Sequence, residues 1–305
     1  MTAPRQVVPG TTYLVTRRCT QRQLLLRPDP IVNQIFRFCL SVAAERHGIL
    51  IHAVCCPSNH YHAVLTDPRG ELPQFEEWLN KFVAKCVNVH RKRFENFWAV
   101  PGSYSAVRLE TEDDFLRKLV YVLANPVQSG LVAFGAAWPG VRFGVGGVGR
   151  QSYVVERPTL YFSRLESLFV PAQASLTVSR PPQFFRRLSD EELAEKVRAA
   201  VFERERAIRE DFQRKTRGFL GRAAVLAQSP FAIPKSSAPR FKLNPRIACI
   251  DKWKRIEAIQ ALGEFLKGHA IALKAWVSGD RSVVFPFGTY LMAILHRAPC
   301  APAPT

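Results

Sequence analysis

The sequence lacks several features that mark the large classes of protein. No apolar run approaches the roughly 20 residues that span a bilayer, and no signal peptide is evident at its start. The seven cysteines are odd in number and include no C-x-x-C pair, which argues against a zinc finger and a disulfide framework. We therefore expect a cytoplasmic protein with reduced thiols that has no membrane partner.

Acidic side chains are scarce relative to basic ones. The chain has 43 Lys and Arg against 25 Asp and Glu, a formal net charge of +18. This excess is larger than solubility alone requires and indicates a polyanionic partner. Because no membrane-spanning run accompanies it, nucleic acid is favoured over an anionic membrane.

The hydrophobic pattern predicts strands and helices in a mixed order. A polar turn at Pro57-Ser58-Asn59 separates two strands, which should form a hairpin, and Asn125-Pro126 should stop a helix. Strands are predicted at 12–17, 49–54, 60–66 and 104–109, and helices at 31–47, 72–94 and 110–124. This order favours an α+β fold in which helices pack on an antiparallel sheet, and a ferredoxin-like arrangement is the simplest candidate.

The domain organisation follows from composition. Residues 1–150 are predicted to form the α+β domain, and 151–187 a linker. Residues 188–296 should form a mostly helical basic region, in which Ser189-x-x-Glu192 is a capping-box pattern that opens a helix. The last residues, 297–305, are predicted to be a disordered tail.

Two histidines could hold a metal ion. His60 and His62 are two residues apart on a predicted strand, so their imidazoles project from the same face of the sheet. Phosphoryl transfer on DNA uses a divalent ion, Mg or Mn, held by few protein ligands. The alternative is that both are ordinary surface or core histidines.

A tyrosine lies on the helix that ends at Pro126. Arg117, Tyr121 and Asn125 are spaced four apart and share one helical face. In this hypothesis Tyr121 attacks a phosphorus atom, Asn125 is a third metal ligand and Arg117 steadies the phosphate or phenolate. A phenol, with a pKa of about 10, leaves more easily than an alkyl alcohol, so the covalent link stays reactive. The alternative is that Tyr121 only packs in the core.

These motifs, in this order, resemble a known family. They are the run from Cys56 to Leu65 (CPSNHYHAVL), Trp98 with Tyr104, the run from Tyr121 to Val132 (YVLANPVQSGLV), and Trp138-Pro139. Together they resemble the REP-associated tyrosine transposases, which belong to the single-tyrosine HUH (insertion-sequence type) transposases. The resemblance covers about residues 10 to 145.

The resemblance implies a function and a set of roles. It implies a ferredoxin-like or RRM-like catalytic domain, the HUH catalytic domain, that depends on Mg or Mn. Such a domain cleaves and rejoins single-stranded DNA at hairpin-bearing ends through a 5'-phosphotyrosine intermediate, which is DNA transposition. By position, His60 and His62 match the metal ligands, Tyr121 the nucleophile and Asn125 a third polar ligand. Tyr61 replaces the usual aliphatic residue, and we expect its side chain to point to the other face.

Two groups of basic residues are candidate nucleic-acid contacts. One group lies on the helix predicted over 72–94, and the other in a proline-rich arm. They are Lys81, Lys85, Arg91, Lys92 and Arg93 in the first group, and Arg240, Lys242 and Arg246 in the second. A solvated helix face explains the first group equally well.

Two other functions stay open at this point. One is a domesticated, non-catalytic protein that binds hairpin DNA or RNA, which would need neither the histidine pair nor Tyr121. The other is a replication or conjugation nicking enzyme with the same chemistry, which the order of histidines before tyrosine disfavours. Single-stranded or hairpin DNA is the expected partner, and the protein is expected to be a monomer or a homodimer.

Overall fold

A computed structural model describes residues 3–99, 104–145, 152–162, 170–235 and 245–303. The strands of this part of the chain are β1 (Thr11–Arg18), β2 (Leu50–Cys55), β3 (His60–Asp67), β4 (Ser105–Leu109), β5 (Arg142–Gly144), β6 (Ser152–Glu156), β7 (Gln173–Thr177) and β8 (Ile247–Ala248). The helices are α1 (Pro30–His47), α2 (Leu72–His90), α3 (Glu112–Leu123), α4 (Asn125–Gln128), α5 (Thr159–Phe162), α6 (Asp190–Arg214), α7 (Arg222–Ala227), α8 (Lys252–Val277) and α9 (Leu291–His296).

The main sheet confirms the predicted α+β fold. The chain runs β1-α1-β2-β3-α2-β4, and the four strands pair in the order β2-β3-β1-β4 with every neighbour antiparallel, which is the ferredoxin-like arrangement. The expected hairpin of β2 and β3 is present. Strand β5 extends the sheet beyond β2, and β8 pairs in parallel with β4 at the other edge.

Helices cover the two faces of the sheet unequally. Tyr61 of β3 contacts Phe36 of α1 and Glu76 of α2. The next residue, His62, contacts Tyr121 of α3. Because successive strand residues point to opposite faces, α1 and α2 form one layer and α3 lies on the other face of the sheet.

Local signals explain where the helices start and stop. Asp29 caps α1 by accepting a hydrogen bond from the Val32 amide at 2.8 Å, and Gly48, with φ of 62°, ends that helix in the left-handed region that glycine tolerates. A reciprocal capping box of Thr111 and Asp114 starts α3. Helix α3 ends at Leu123, and the Asn-Pro pair that was predicted to stop it begins the short helix α4.

The segment predicted to be a linker, 151–187, contains folded structure in its described part. Strands β6 and β7 pair as a separate antiparallel sheet, and this sheet packs on α1. The buried side chains Ala174 and Leu176 alternate with exposed neighbours on β7 and join the main hydrophobic core. The prediction of a linker is corrected because this alternation, though short, is sufficient to bury one face of a strand.

The C-terminal region is mostly helical, as predicted. The capping box of Ser189 and Glu192 starts α6, which packs against α3 and α4. The prediction that 297–305 is a disordered tail is wrong for 298–301, which pair with an earlier segment. The Phe285 amide donates to Pro299 O, and the Ala301 amide donates to Phe285 O, both at 2.8 Å. None of the helices in the described ranges is long and apolar enough to cross a membrane.

The turn between β3 and α2 depends on one buried carboxylate. Asp67 Oδ1 accepts hydrogen bonds from the amides of Arg69, Gly70 and Glu71, and Oδ2 accepts one from the Leu72 amide at 2.8 Å. These amides have no helical partner of their own, because they precede or open α2.

We predict that Asp67→Ala lowers the free energy of unfolding by roughly 3 kcal/mol, because it leaves buried donors without an acceptor. Urea denaturation of the purified protein measures the change. Asp113→Ala, which removes an exposed carboxylate from the first turn of α3, is the control and should cost less than about 1 kcal/mol. Equal effects of the two substitutions would contradict the role of Asp67.

Candidate active site

The pairing of β1 with β3 brings the two histidines together with polar partners. Thr16 lies opposite His62, and Arg18 lies opposite His60. His62 Nδ1 lies 2.7 Å from Thr16 Oγ1, and His60 Nδ1 lies 2.7 Å from Asn59 Oδ1. Each imidazole therefore has its Nδ1 atom engaged by the protein, and the two Nε2 atoms face each other at 3.0 Å.

This arrangement fits a divalent metal ion. The Asn59 amide nitrogen donates to Arg22 O at 3.1 Å, so Asn59 Oδ1 is free to accept from His60 Nδ1, which leaves the Nε2 lone pair for a ligand. Two ligands at right angles with bonds of about 2.1 Å lie about 3 Å apart, as these two Nε2 atoms do. The pair thus has the spacing of neighbouring ligands of one ion.

The electrostatic environment keeps both imidazoles neutral, as metal binding requires. Burial, with the neighbouring Arg18, lowers the pKa of His60 to about 4. Burial, with the neighbouring His60, also lowers the pKa of His62. No group of three His, Cys, Asp or Glu residues converges in the part of the chain described.

Tyr121 lies beside the histidine pair. Its hydroxyl is 3.4 Å from His62 Nε2, and the two ring centroids are 5.1 Å apart. Burial raises the pKa of this phenol, Cys55 of β2 raises it further, and a hydrogen bond from Asn125 lowers it. The phenol therefore carries its proton in the protein alone.

Two further predicted site residues, Asn125 and Arg117, lie on or just after α3. Asn125 is buried, and its described side-chain contacts are with Tyr121 and with Ser129 Oγ at 3.4 Å, so its role as a metal ligand stays a prediction. Arg117 is exposed and does not line the cavity at the site. It lies one turn before Tyr121 on α3, and its predicted role rested on the spacing of four residues alone.

The site opens into a cavity of about 770 Å³. Its cations are Arg18, Arg22 and Lys235, which the sequence analysis missed, and no acidic side chain lines it among the residues described. Arg18 could have been found from the alternation of β1, since it lies two residues after Thr16. The lining residues are Thr16, Arg18, Arg22, Leu24, Pro57, Ser58, Asn59, His60, His62, Tyr121, Ser129, Leu131, Gln228, Ala232, Ile233, Pro234 and Lys235.

The predicted basic group of α2 lies away from this cavity, because α2 packs on the opposite face of the sheet. Arg91 is largely buried, pairs with Asp29 at 2.9 Å and donates to Arg27 O, which is a structural role. The Arg93 side chain is also mostly buried and contacts Asn88 and Glu95. The exposed members of the group are Lys81, Lys85 and Lys92.

The predicted basic arm is described only at its end. Arg246 donates to Ala3 O at 3.3 Å and lines a small cleft with Arg5 and Arg108. Arg240 and Lys242 lie outside the described residues.

Tyr61, between the two histidines, supports the strand from behind. Its side chain points to the face opposite the histidines, as expected, and is fully buried. Its hydroxyl donates to Glu76 Oε2 at 2.7 Å, and the Asn80 amide donates to the same oxygen at 2.8 Å. Burial raises the pKa of Glu76 to about 7, against an ordinary value of 4.5.

Fold and site together define an α+β protein in which an imidazole pair on the sheet and a tyrosine on α3 line a basic cavity. No protein-family model and no curated protein matches the chain. Two solved structures are similar to it. One is a REP-associated tyrosine transposase bound to a REP hairpin, at 17% identity and a TM-score of 0.39, over 62% of this chain and 99% of that one. The other is a candidate transposase from Deinococcus radiodurans R1, at 20% identity and a TM-score of 0.27, over 35% and 85%.

The first of these structures belongs to the family that the sequence motifs resemble. Both TM-scores and both identities are low, so these likenesses by themselves assign no activity to the chain.

We predict that Glu76 makes stability depend on pH. Its folded-state pKa is raised, so its contribution to stability is fully present below about pH 4.5 and is lost as the pH rises through about 7. Between about pH 4.5 and pH 7, the free energy of unfolding of the wild-type protein should therefore fall by roughly 2 to 3 kcal/mol relative to that of Glu76→Gln, because the glutamine stays neutral. Chemical denaturation at a series of pH values measures the difference. A difference that does not change with pH would show that Glu76 titrates normally.

Proposed function

We propose that this protein is a metal-dependent DNA transposase, a single-strand DNA endonuclease of the HUH type with Tyr121 as its nucleophile. The observation that carries the proposal is the convergence of three atoms: His60 Nε2 and His62 Nε2 lie 3.0 Å apart, and the Tyr121 hydroxyl lies 3.4 Å from His62 Nε2. A protein that only binds nucleic acid has no need for such a group at the wall of a basic cavity.

His60 and His62 would hold the ion, Mg or Mn, and Asn59 and Thr16 orient the two imidazoles. A bound divalent ion would polarise the phosphate and offset the charge that develops on it. Asn125 donates a hydrogen bond to the phenol, which favours the phenolate. Arg18 and Arg22 line the cavity next to the histidines, and we assign to them the phosphate binding that sequence spacing suggested for Arg117.

The proposed reaction conserves the phosphodiester. Tyr121 Oη attacks the phosphorus, the bond from phosphorus to the 3' oxygen breaks, and the 5'-phosphate of the downstream fragment becomes linked to the tyrosine. The phenol loses one proton and the departing 3' oxygen gains one, so a free 3'-hydroxyl results. Attack by a 3'-hydroxyl on the phosphotyrosine then rejoins a strand without a nucleotide cofactor. The motif resemblance suggests hairpin-bearing DNA ends as the substrate.

We predict that the protein forms a covalent adduct with DNA. Purified protein is incubated with labelled single-stranded hairpin DNA from the ends that flank its own gene, with Mg or Mn, and is resolved under denaturing conditions. The adduct should require the metal and should disappear in Tyr121→Phe, because only the phenol oxygen forms the bond. Tyr153→Phe, which removes a partly exposed phenol on β6, is the matched control and should keep it.

The outcomes separate the competing functions. An adduct that survives in Tyr121→Phe would identify a different nucleophile. Tight binding with no adduct across metals and candidate strands would favour the non-catalytic binding protein.

We predict that Asn59 positions His60 for the metal. Asn59→Ala removes the acceptor that holds His60 Nδ1, and loss of such an orienting partner weakens metal binding about 10- to 100-fold. Mn binding measured by electron paramagnetic resonance gives the affinity directly. Asn88→Ala, which alters a polar side chain at the end of α2 on the other face, is the control. Unchanged Mn affinity in Asn59→Ala would show that the metal lies elsewhere.

A further inference from the structure

A segment from the C-terminal region forms one wall of the cavity. This covering segment, residues 218–235, follows α6 and includes α7. It lines the cavity through Gln228, Ala232, Ile233, Pro234 and Lys235. The catalytic residues on β3 and α3 therefore face a wall that belongs to a distant part of the sequence, and the motif resemblance over 10–145 does not reach it.

The start of the covering segment is held by the loop that follows the tyrosine helix. The Leu220 amide donates to Gly130 O, and the Gly221 amide donates to Leu131 O, both at 2.9 Å. Gly130 has φ of 70°, and a Cβ atom there would lie 3.2 Å from the Phe212 ring of α6. Gly130 and Leu131, which lie near the end of the run of motif residues from Tyr121 to Val132, thus bind the backbone of this segment.

Further contacts hold the middle and the end of the segment. Val225 of α7 is fully buried and packs in a small cluster with Val132 and Trp138. The Arg27 guanidinium donates to Leu226 O at 2.9 Å and to Gln228 O at 3.1 Å. The Leu24 amide donates to Ala232 O at 3.1 Å. The wall is therefore attached to the first domain along its length.

The chemistry of this wall suits a nucleotide chain. Lys235 is exposed, and no described carboxylate lies within ion-pair distance of it. Ile233 lines the cavity and is 54% exposed, so an apolar side chain stands open to solvent beside a cation. Arg18 and Arg22 lie in the same cavity, next to the histidines. A single strand presents both groups that such a lining binds, a phosphate for a cation and a base for an apolar surface.

We propose that the covering segment is the second wall of the single-strand DNA site, where Lys235 Nζ binds a phosphate next to the one that Tyr121 attacks and Ile233 contacts a base. This inference rests on the proposed function for the identity of the ligand. It assigns to the C-terminal region a direct part in holding the strand, and it makes Lys235 a positioning residue for the reaction.

The test measures binding apart from cleavage. Fluorescence anisotropy follows a labelled oligothymidine in the Tyr121→Phe background, in which the proposed covalent step cannot occur, over a series of salt concentrations. Lys235→Ala should weaken binding about threefold to tenfold and should reduce the salt slope by about 0.7, the value for one phosphate contact on a single strand. Lys235→Arg should restore both. Lys215→Ala, which removes an exposed cation from the end of α6, is the matched control and should change the affinity less than about twofold.

A second arm locates the contact on the DNA. Oligonucleotides that carry one neutral methylphosphonate at successive positions are compared for binding to Tyr121→Phe protein with and without Lys235→Ala. One position should weaken binding only while Lys235 is present, because the substitution and the neutral linkage remove the same contact. This non-additivity is not expected if Lys235 acts only through net charge or folding.

The outcomes are distinct for the two proposals. Equal effects of Lys235→Ala and Lys215→Ala, or strictly additive effects of the methylphosphonates, would overturn this inference and leave the reaction untouched. The predicted binding effects without any covalent adduct in the wild-type protein would overturn the reaction and leave this inference standing. A protein that does not bind single-stranded DNA would overturn both.

Discussion

The antiparallel pairing of β1 with β3 is the constraint on which the site depends. Its register places Thr16 opposite His62 and Arg18 opposite His60, so one face of the two strands carries both imidazoles, the hydroxyl that orients one of them and a cation. The alternate residue, Tyr61, enters the core beside Glu76. A shift by one residue would exchange the two faces and place the histidines in the core. The buried tyrosine and the histidine pair at the wall of the cavity are therefore consequences of one register.

Burial and charge act in opposite directions at this site. Burial disfavours charged forms, so it keeps His60 and His62 neutral and keeps the Tyr121 phenol protonated. Neutral imidazoles suit metal binding, whereas a protonated phenol is a weak nucleophile. The cavity is lined by Arg18 and Arg22, and it would receive a further positive charge from a bound ion. In the proposed reaction the charge of a bound ion would favour the phenolate, whereas in the protein alone the phenol keeps its proton.

Most of the first domain could be predicted from residue patterns, because its elements have strong local signals. The hairpin of β2 and β3, the helix before Gly48 and the opposite orientation of Tyr61 follow from alternation, turn residues and helical periodicity. The errors have physical reasons too. The segment 151–187 was predicted to be a linker, and the strand β7 that it contains is only five residues long, which is a weak local signal. The tail was predicted to be disordered from its composition, which does not reveal its long-range pairing with Phe285. Arg117 lies one helical turn before Tyr121 on the same side of α3, but its side chain is exposed to solvent whereas that of Tyr121 is partly buried.

The sequence by itself determined which atoms are available for chemistry: two imidazoles on one strand face, a phenol near the end of a helix and an excess of positive charge. Those properties follow from spacing and composition, which are local. Only the tertiary structure decided which cations lie beside these groups. Arg22 comes from the turn after β1, and Lys235 comes from a segment anchored to Gly130, Leu131, Leu24 and Arg27. Contacts between residues so far apart in the sequence depend on how the C-terminal region packs on the first domain. The local periodicity of the sequence does not predict that packing.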